Sequence, residues 1–526
     1  MAIFSAPRRH LLLSAATLFL GACGGMAQPP ASQPLPLQLR SALAQLDDIA
    51  QRMLTQSGVP GMSIVVIYQD TVVHLKGYGL RAAGGSDPVD SDTVFQLASV
   101  SKPIASTIMA GLVGDGVIHW DDPVAQHDPG FALGDPAASL AVTLRDFFCH
   151  RSGLSEHAGD LLEDMGYNRK EVLYRLRFLP LGKRFRNNYA YTNFGITEAA
   201  VAAARSAGMS WEDLAITRLF QPAGMHATSP RHADFIASVN HAVLHVKVDG
   251  RYVARFDRNP DAQSPAGGVS SSARDMARWL RLQLNDGKLE GVQLIAAAPL
   301  RETRSPQIES EPASQSPLGK ASYYGLGWNA DYDPAGRLRN SHSGAFSLGA
   351  STSVQIVPDQ GLGIVVLTNA WPVGVPEAVA ATFLDLALDG AASQDWYALY
   401  GPAITAAQDA AFKGPTDYSH SPANPRPAQQ PGAYAGQYEN SYYGRISVVE
   451  QDGALVLLLG PKQTPYPMRH WDGDLYVYQP SGENAVELSG IIFSMDSQGK
   501  AGRVRIEYLD QQEQGDFVRA DSPGGS

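Results

Sequence analysis

Phe95-Gln96-Leu97-Ala98-Ser99-Val100-Ser101-Lys102 opens an apolar run with helical spacing: Ile104, Ile108, Met109, Leu112 and Val113. Residues three apart share a helix face, so Ser99 and Lys102 meet at the start of a buried helix. A lysine held against apolar neighbours loses solvation, which disfavours its charged form and makes it a base. A base beside a serine hydroxyl is the minimum equipment for acyl transfer. The bare pattern is not specific, because Ser497-Gln498-Gly499-Lys500 repeats it in what reads as a polar hairpin turn. An N-cap serine followed by a solvated lysine writes the same letters. The apolar helix after Ser99 separates the two copies.

The chain has 526 residues, enough for two or three domains. At 44% hydrophobic and 18% charged it builds a large core. A formal net charge of −11 does not concentrate phosphate backbones, so nucleic-acid binding is excluded as a main role. Past the N-terminus no apolar run is long enough to span a bilayer. Arg8, Arg9 and His10 form a basic region ahead of the apolar stretch Leu11 to Leu20, so residues 1–23 read as an export signal. Leu20-Gly21-Ala22-Cys23 resembles a lipobox and predicts lipidation of Cys23. Ordinary cleavage after Ala27 is the competing reading, and Arg8-Arg9 also resembles a twin-arginine signal. The expected location is the periplasm-facing bacterial envelope, with an outer-membrane lipid anchor as the membrane contact. A soluble periplasmic or secreted form is the alternative. There are two cysteines; lipidation of Cys23 leaves Cys149, in the apolar Phe147-Phe148-Cys149, to core packing.

Residues 24–38 are rich in Pro, Gln, Ser and Gly and read as a tether. Leu39, Leu43, Leu46, Ile49 and Met53 then mark an amphipathic helix. Strands follow at 62–68 and 71–76, with Gln69-Asp70 turning between them. Mixed helices and strands continue to a helix at 378–388. Helix, hairpin, many helices and a late return to strands predict an α+β domain over 39–392, an antiparallel sheet flanked by helices. Residues 393–430, rich in Ala, Pro and Gln, read as a linker. Beyond them, short strands at 434–438, 445–449, 454–459, 475–478, 491–495 and 504–509 make 431–518 a small all-β barrel or sandwich. Asp452-Gly453 and Asp472-Gly473 mark turns within it.

A serine–lysine pair needs a proton relay to the leaving group, an oxyanion hole and a strand edge for the substrate. Tyr191-Thr192-Asn193 supplies the first: a tyrosine beside a cationic lysine is expected to be stabilised as phenolate. Asn193 is placed to orient a substrate carbonyl and hold the lysine. His342-Ser343-Gly344 is expected to begin the strand, with residues 345–357 running on as one extended segment. Gly344 allows close approach of the substrate backbone, and the Ala345 and Ser99 N–H groups form the oxyanion hole. Each motif alone is weak; Tyr438-Glu439-Asn440 matches the second inside the β domain.

The order Ser-x-x-Lys, Tyr-x-Asn, His-Ser-Gly resembles the serine hydrolases of the class C β-lactamase and penicillin-binding protein superfamily. Supporting landmarks include Thr143-Leu144-Arg145-Asp146 with His150-Arg151-Ser152-Gly153-Leu154, and Ser264-Pro265-Ala266-Gly267-Gly268-Val269. Tyr324-Gly325-Leu326-Gly327-Trp328 and the strand Val365-Val366-Leu367-Thr368-Asn369 agree as well. The likeness covers about residues 40–390 and implies a β-lactamase/transpeptidase-like sheet with an all-helical subdomain. The segment from Tyr434 through Asp474 looks like the small β domain often appended to such hydrolases. The resemblance implies Ser99 as nucleophile, Lys102 as its base, Tyr191 as proton shuttle, and Asn193, His342, Gly344 and Ala345 around the substrate. His342 stands where lactamases and D,D-peptidases carry a lysine, and no Lys-Thr-Gly or Lys-Ser-Gly occurs in the chain. A lysine there is a fixed cation for a substrate carboxylate, whereas histidine is largely neutral near pH 7. The expectation is therefore an esterase or a D-amino-acid amidase or peptidase. A true β-lactamase or D,D-carboxypeptidase is the alternative.

No lipase-type Gly-x-Ser-x-Gly elbow is present. His241 and His245 lack the companions of a metal site, so no metal or cofactor is expected. Lys183-Arg184-Phe185-Arg186 reads as a solvated loop or the mouth of the cleft. The expected partner is a small-molecule or short-peptide substrate, and no pattern sets the oligomeric state. A non-catalytic envelope sensor that keeps the pocket for recognition is the reading from another class.

Overall fold

The computed structural model describes residues 34–181, 185–316 and 319–520. The export and lipidation readings at residues 1–23, Cys23 included, lie outside the described residues, as do most of the tether and Lys183-Arg184.

The chain enters through α1 (Leu37–Ser57) and turns into the hairpin β1 (Gly61–Tyr68) and β2 (Thr71–Gly79). A helical region follows, with α2 (Ser101–Gly114) at its centre and α3 (Asn193–Ser206) beside it. The chain then returns to the sheet through β3 (Ile308–Glu311), β4 (Ser322–Tyr324), β5 (Asn329–Tyr332), β6 (Leu338–Phe346), β7 (Ala350–Val357) and β8 (Leu362–Thr368). Helix α4 (Val375–Asp389) closes this domain. The eight strands run in the order β2-β1-β8-β7-β6-β5-β4-β3, with every neighbour antiparallel.

Sheet burial explains the sequence texture. Met62, Ile64 and Val66 of β1 and Ile364 and Val366 of β8 pack with Leu46, Ile49, Val379 and Phe383 of α1 and α4. Val65, Ile67, Val365 and Leu367 face the other way, into the core around α2. With both faces covered, these strands read as continuous apolar runs rather than alternation. Helix α2 is buried almost all round, from Ser101 to Leu112. Pro103 is tolerated because the first helical turn has no partner for its missing N–H.

Residues 345–357 are two strands, not one extended segment. Strand β6 starts at Leu338 and ends at Phe346, and the chain reverses through Ser347-Leu348-Gly349 into β7. Gly349 makes the reversal possible: its φ is +127°, and a Cβ there would lie 2.3 Å from the His245 backbone nitrogen.

The segment read as a linker contains a helix, α5 (Trp396–Phe412), capped by the Asp395 side chain on the Ala398 N–H at 2.9 Å. Its alanines are the best helix formers, which offsets Pro402 in its interior. The C-terminal domain is a nine-stranded, nearly closed, barrel-like sheet. Asp452 and Gly453 both take positive φ in a two-residue hairpin turn. Three of its strands were not legible: Thr464–Pro467, Arg469–Asp472 and Asp516–Arg519. Each is four residues long, and the first carries two prolines, tolerated at an edge of the sheet. Tyr434 ends a helical turn, and Glu507–Asp510 is a helical turn rather than strand. Ser497-Gln498-Gly499-Lys500 sits in a turn closed by Asp496.

Candidate active site

Ser99 stands where the short strand Val94–Gln96 turns into α2. The turn is tight: Ala98 takes φ +47°, which costs a non-glycine residue about 1–2 kcal/mol. Ser99 lies in the helical turn Ala98–Val100 rather than in α2 itself. Lys102, fully buried one turn on, places Nζ 3.0 Å from Ser99 Oγ, 2.7 Å from Asn193 Oδ1 and 3.0 Å from the Ala266 carbonyl oxygen. Burial lowers its pKa to about 7, and the Asp160 carboxylate opposes a further fall. The Tyr191 hydroxyl donates to Ser99 Oγ at 2.7 Å. These partners serve both charge states of the lysine. The ammonium donates to all three; once neutral, Lys102 keeps its two N–H groups on Asn193 and Ala266 and frees a lone pair for the Ser99 hydroxyl proton.

Tyr191 is not a phenolate, as the sequence had suggested. Burial pushes its pKa up, and the negative Asp160 adds to the rise. Desolvation of the charged form outweighs the hydrogen bond to Ser99, which acts the other way. The Tyr191 ring lies 4.5 Å from Lys102 Nζ and packs at a tilt of 41° against buried His150, whose Nδ1 accepts from the Thr192 N–H at 3.1 Å.

Asn193 begins α3, and its amide bridges two charges: Oδ1 accepts from Lys102, and Nδ2 donates to Asp160 Oδ2 at 3.0 Å. His157 meets the same Asp160 oxygen at 3.0 Å. Nothing in the spacing of Asp160 or His157 relative to Ser99 marked them in the sequence, and Ala266 stood in a landmark stretch with no role assigned to it. Their contacts are tertiary.

Strand β6 forms the opposite wall. Ser343 and Ala345 are exposed along it, whereas His342, Gly344 and Phe346 are buried. Its pairing with β5 stops at Ser341, so residues 342–346 have no strand partner on that edge. At Gly344 a Cβ would lie 2.1 Å from the Leu97 carbonyl oxygen and 3.1 Å from the Ser99 nitrogen. Only glycine lets the two backbones come so close.

The structure turns the His342 imidazole away from the substrate space. It is 4% exposed, with Nδ1 2.7 Å from the Ser343 carbonyl oxygen and Nε2 2.9 Å from the Tyr324 hydroxyl. Burial drives its pKa down to about 3, so it is neutral. Of the residues predicted around the substrate, Asn193 and Ala345 line the cavity together with Ser99 and Tyr191. Ser343, which the motif places between His342 and Gly344, lines it in place of the histidine.

That cavity measures about 1010 Å³. Its far wall comes from beyond the hydrolase domain: Gln408 and Phe412 of α5, and Asn484, Val486, Ile492 and Tyr508 of the β domain. Of the cations lining the cavity, Arg258 of the hydrolase domain is engaged with Glu163 at 2.6 Å and Arg505 with Asp510, and Lys413 is exposed. Among the described residues no cluster of His, Cys, Asp and Glu is arranged to hold a metal ion, and no helix is long and apolar enough to cross a membrane. Cys149 is buried, with its thiol pushed up to about 12, and is therefore inert. Arg186 is bound to Asp146 at 2.7 Å rather than free at a cleft mouth.

Residues 46–389 match the family model described as Beta-lactamase, and residues 420–519 match a domain of unknown function, DUF3471. The chain is 30% identical to Penicillin-binding protein 4 of Amycolatopsis lactamdurans over 325 residues, 60% of this chain and 82% of that protein. It is 24% identical to the Unguisins hydrolase ungD of Aspergillus violaceofuscus over 421 residues, 74% of each chain. Among solved structures, the octameric penicillin-binding protein homologue from Pyrococcus abyssi superposes with a TM-score of 0.58 at 18% identity. That match covers 91% of this chain and all (100%) of the other.

Proposed function

We propose a mechanism for this chain from one premise: it belongs to the Beta-lactamase family, whose members are serine hydrolases. In our reading Ser99 is the nucleophile. Neutral Lys102 takes the hydroxyl proton as Oγ attacks the substrate carbonyl carbon. The N–H groups of Ser99 and Ala345 hold the resulting oxyanion. Tyr191, a phenol, gives its proton to the departing oxygen or nitrogen, and the Lys102 ammonium restores it. The acyl-enzyme then reacts with water, which loses its proton to Lys102 through Tyr191. As the intermediate collapses, the Lys102 ammonium returns that proton to the departing Ser99 oxygen, and the acid leaves with the base restored. The observation that carries this reading is the contact set on Ser99 Oγ, 3.0 Å from Lys102 and 2.7 Å from Tyr191.

For the substrate we propose an ester, an amide or a short peptide that need not present a carboxylate. His342 is neutral and faces away, and Arg258 and Arg505 on the wall already have carboxylate partners, so the cation a carboxylate would meet in this cavity is the solvent-exposed Lys413. A buried, unpaired substrate carboxylate is costly.

A fluorophosphonate probe tests the chemistry, because it phosphonylates an activated serine. Wild-type protein is expected to label at Ser99, and Ser99→Ala to lose the label entirely. Equal labelling of the two proteins would sink the reading. Binding without turnover on any ester, amide or lactam would favour a sensor instead. Intact mass after incubation with a simple penicillin tests the substrate class. A lasting Ser99-dependent adduct or released opened drug would move the enzyme to the lactam-recognising group.

A further inference from the structure

We propose that the C-terminal β domain belongs to the catalytic apparatus, through Glu483 as a positioning residue that fixes the oxyanion strand. The inference rests on the serine-hydrolase reading above and extends it to a part of the chain far from Ser99 in sequence.

The geometry converges on Ser347, two residues after Ala345. Its N–H and its hydroxyl are held from outside the hydrolase domain. Its N–H donates to the Glu483 carboxylate, on the β-domain loop between the strands Leu475–Tyr478 and Ser489–Met495. Its hydroxyl donates to Gln408 Oε1 of α5 at 3.0 Å. Strand β6 stays paired with β7 through Phe346 but has lost its β5 neighbour before residue 342, so this clamp holds the turn just past a tip that is paired on one edge. An oxyanion hole works only if its donors are fixed before the charge develops. A shift of the strand tip moves the Ala345 N–H directly.

Glu483 is itself pinned. The N–H groups of Glu483 and Asn484 both donate to Asp164, each at 2.9 Å, and the Tyr508 hydroxyl reaches the same carboxylate at 3.1 Å. Arg258 lies between Glu163 and Glu483, with its guanidinium 5.1 Å over the ring of Phe346, the last residue of β6. Three buried carboxylates around one buried arginine make a poor adhesive, since desolvation consumes most of the attraction. The two domains also have separate contacts that need no such cluster. Tyr442 accepts from the Gly159 N–H at 2.9 Å, Tyr167 donates to the Tyr443 carbonyl at 2.7 Å, and Arg175 donates to the Tyr442 carbonyl at 2.9 Å. Glu483 is thus redundant for docking. Its contact with Ser347 connects the β domain to the tip of the oxyanion strand.

The test uses the full chain and three variants. The readouts are the rate of Ser99 labelling by a fluorophosphonate, and kcat and KM on p-nitrophenyl acetate. Glu483→Ala is expected to slow labelling and lower kcat by about tenfold or more with KM little changed, since losing one oxyanion donor outright costs about a hundredfold or more. Glu483→Gln keeps an oxygen for the Ser347 N–H and should recover most of the rate. Arg175→Gln weakens docking away from the cavity and should leave labelling and kcat at the wild-type level. A Glu483→Ala protein that labels at the wild-type rate overturns the proposal, and so does an equal loss in Arg175→Gln. If Glu483→Ala does not fold, Gln408→Ala loosens Ser347 from the α5 side, and an unchanged labelling rate there overturns it as well. Failure of wild-type labelling strikes the serine-hydrolase reading instead, so the two failures are distinguishable.

Discussion

Lys102 is surrounded by neutral acceptors: a hydroxyl, an amide oxygen and a backbone carbonyl. The nearest carboxylate, Asp160, acts one hydrogen bond further away, through Asn193. Dipoles alone stabilise a buried ammonium poorly, which is why its pKa falls to about 7 rather than staying near that of a solvated lysine. The neutral amine is the base, so activity is absent where Lys102 is protonated and rises with pH through about 7. The acid limb of kcat/KM on a neutral ester should report that apparent pKa, and Lys102→Arg should cost about 10²–10⁴ in rate because a guanidinium does not deprotonate. A limb centred near pH 4–5 in the wild type would assign the base to a carboxylate instead. Ser99, Lys102, Tyr191 and Asn193 were legible because their motif spacing is itself the chemistry. Asp160 was not, since an acid 33 residues before its asparagine partner carries no local signature. The expected Tyr191 phenolate failed for a related reason: burial is a tertiary property, and here burial and the Asp160 charge both favour the phenol.

At the scale of elements, the site depends on two backbones brought almost into contact, the turn into α2 and strand β6. Gly344 sets that distance. In Gly344→Ala the new methyl would lie 2.1 Å from the Leu97 carbonyl oxygen and 2.4 Å from Thr352 Oγ1, so backbone has to shift. The expected cost is about 1–3 kcal/mol of stability from overpacking. Displacement of the Ser99 nitrogen should also slow labelling by about tenfold or more. Thermal unfolding and labelling rate read the two effects separately, and wild-type values of both would refute the close-approach argument. The sequence conveyed the presence of these elements better than their limits. Apolar runs at 62–68 and 365–369 could only be covered strands, and the hairpin at Gln69-Asp70 followed from its turn. The reversal at Gly349 was lost because a strand, a turn of small residues and a second strand read together as one extended run. Helix α5 was hidden by Pro402 and the prolines that follow it.

Over the whole molecule, the apolar core is continuous from the helical subdomain into the β domain: Leu162 and Met165 on one side, Tyr442, Tyr443 and Leu457 on the other, belong to one packed cluster. Composition placed a boundary near residue 430 and left open whether the second unit faces the first. Docking depends on shape and burial, which motifs do not encode. The price of this union is the carboxylate cluster at the seam, where burial raises the pKa values of Glu163, Asp164 and Glu483, the last to about 7. Arg258 opposes the rise for each of them but cannot neutralise all three. The sign follows from linkage. Between its ordinary value of 4.5 and about 7, Glu483 holds its proton in the folded protein and loses it in the unfolded chain. Its favourable contribution is therefore full below about pH 4.5 and fades as pH rises to about 7. Glutamine has the shape and neutrality of the protonated acid, so Glu483→Gln should escape that loss. The difference in Tm, variant minus wild type, should grow from pH 5 to pH 8 and then level off. A constant difference over that range would mean that Glu483 carries its charge throughout and that Arg258 pairs with it in preference to Glu163.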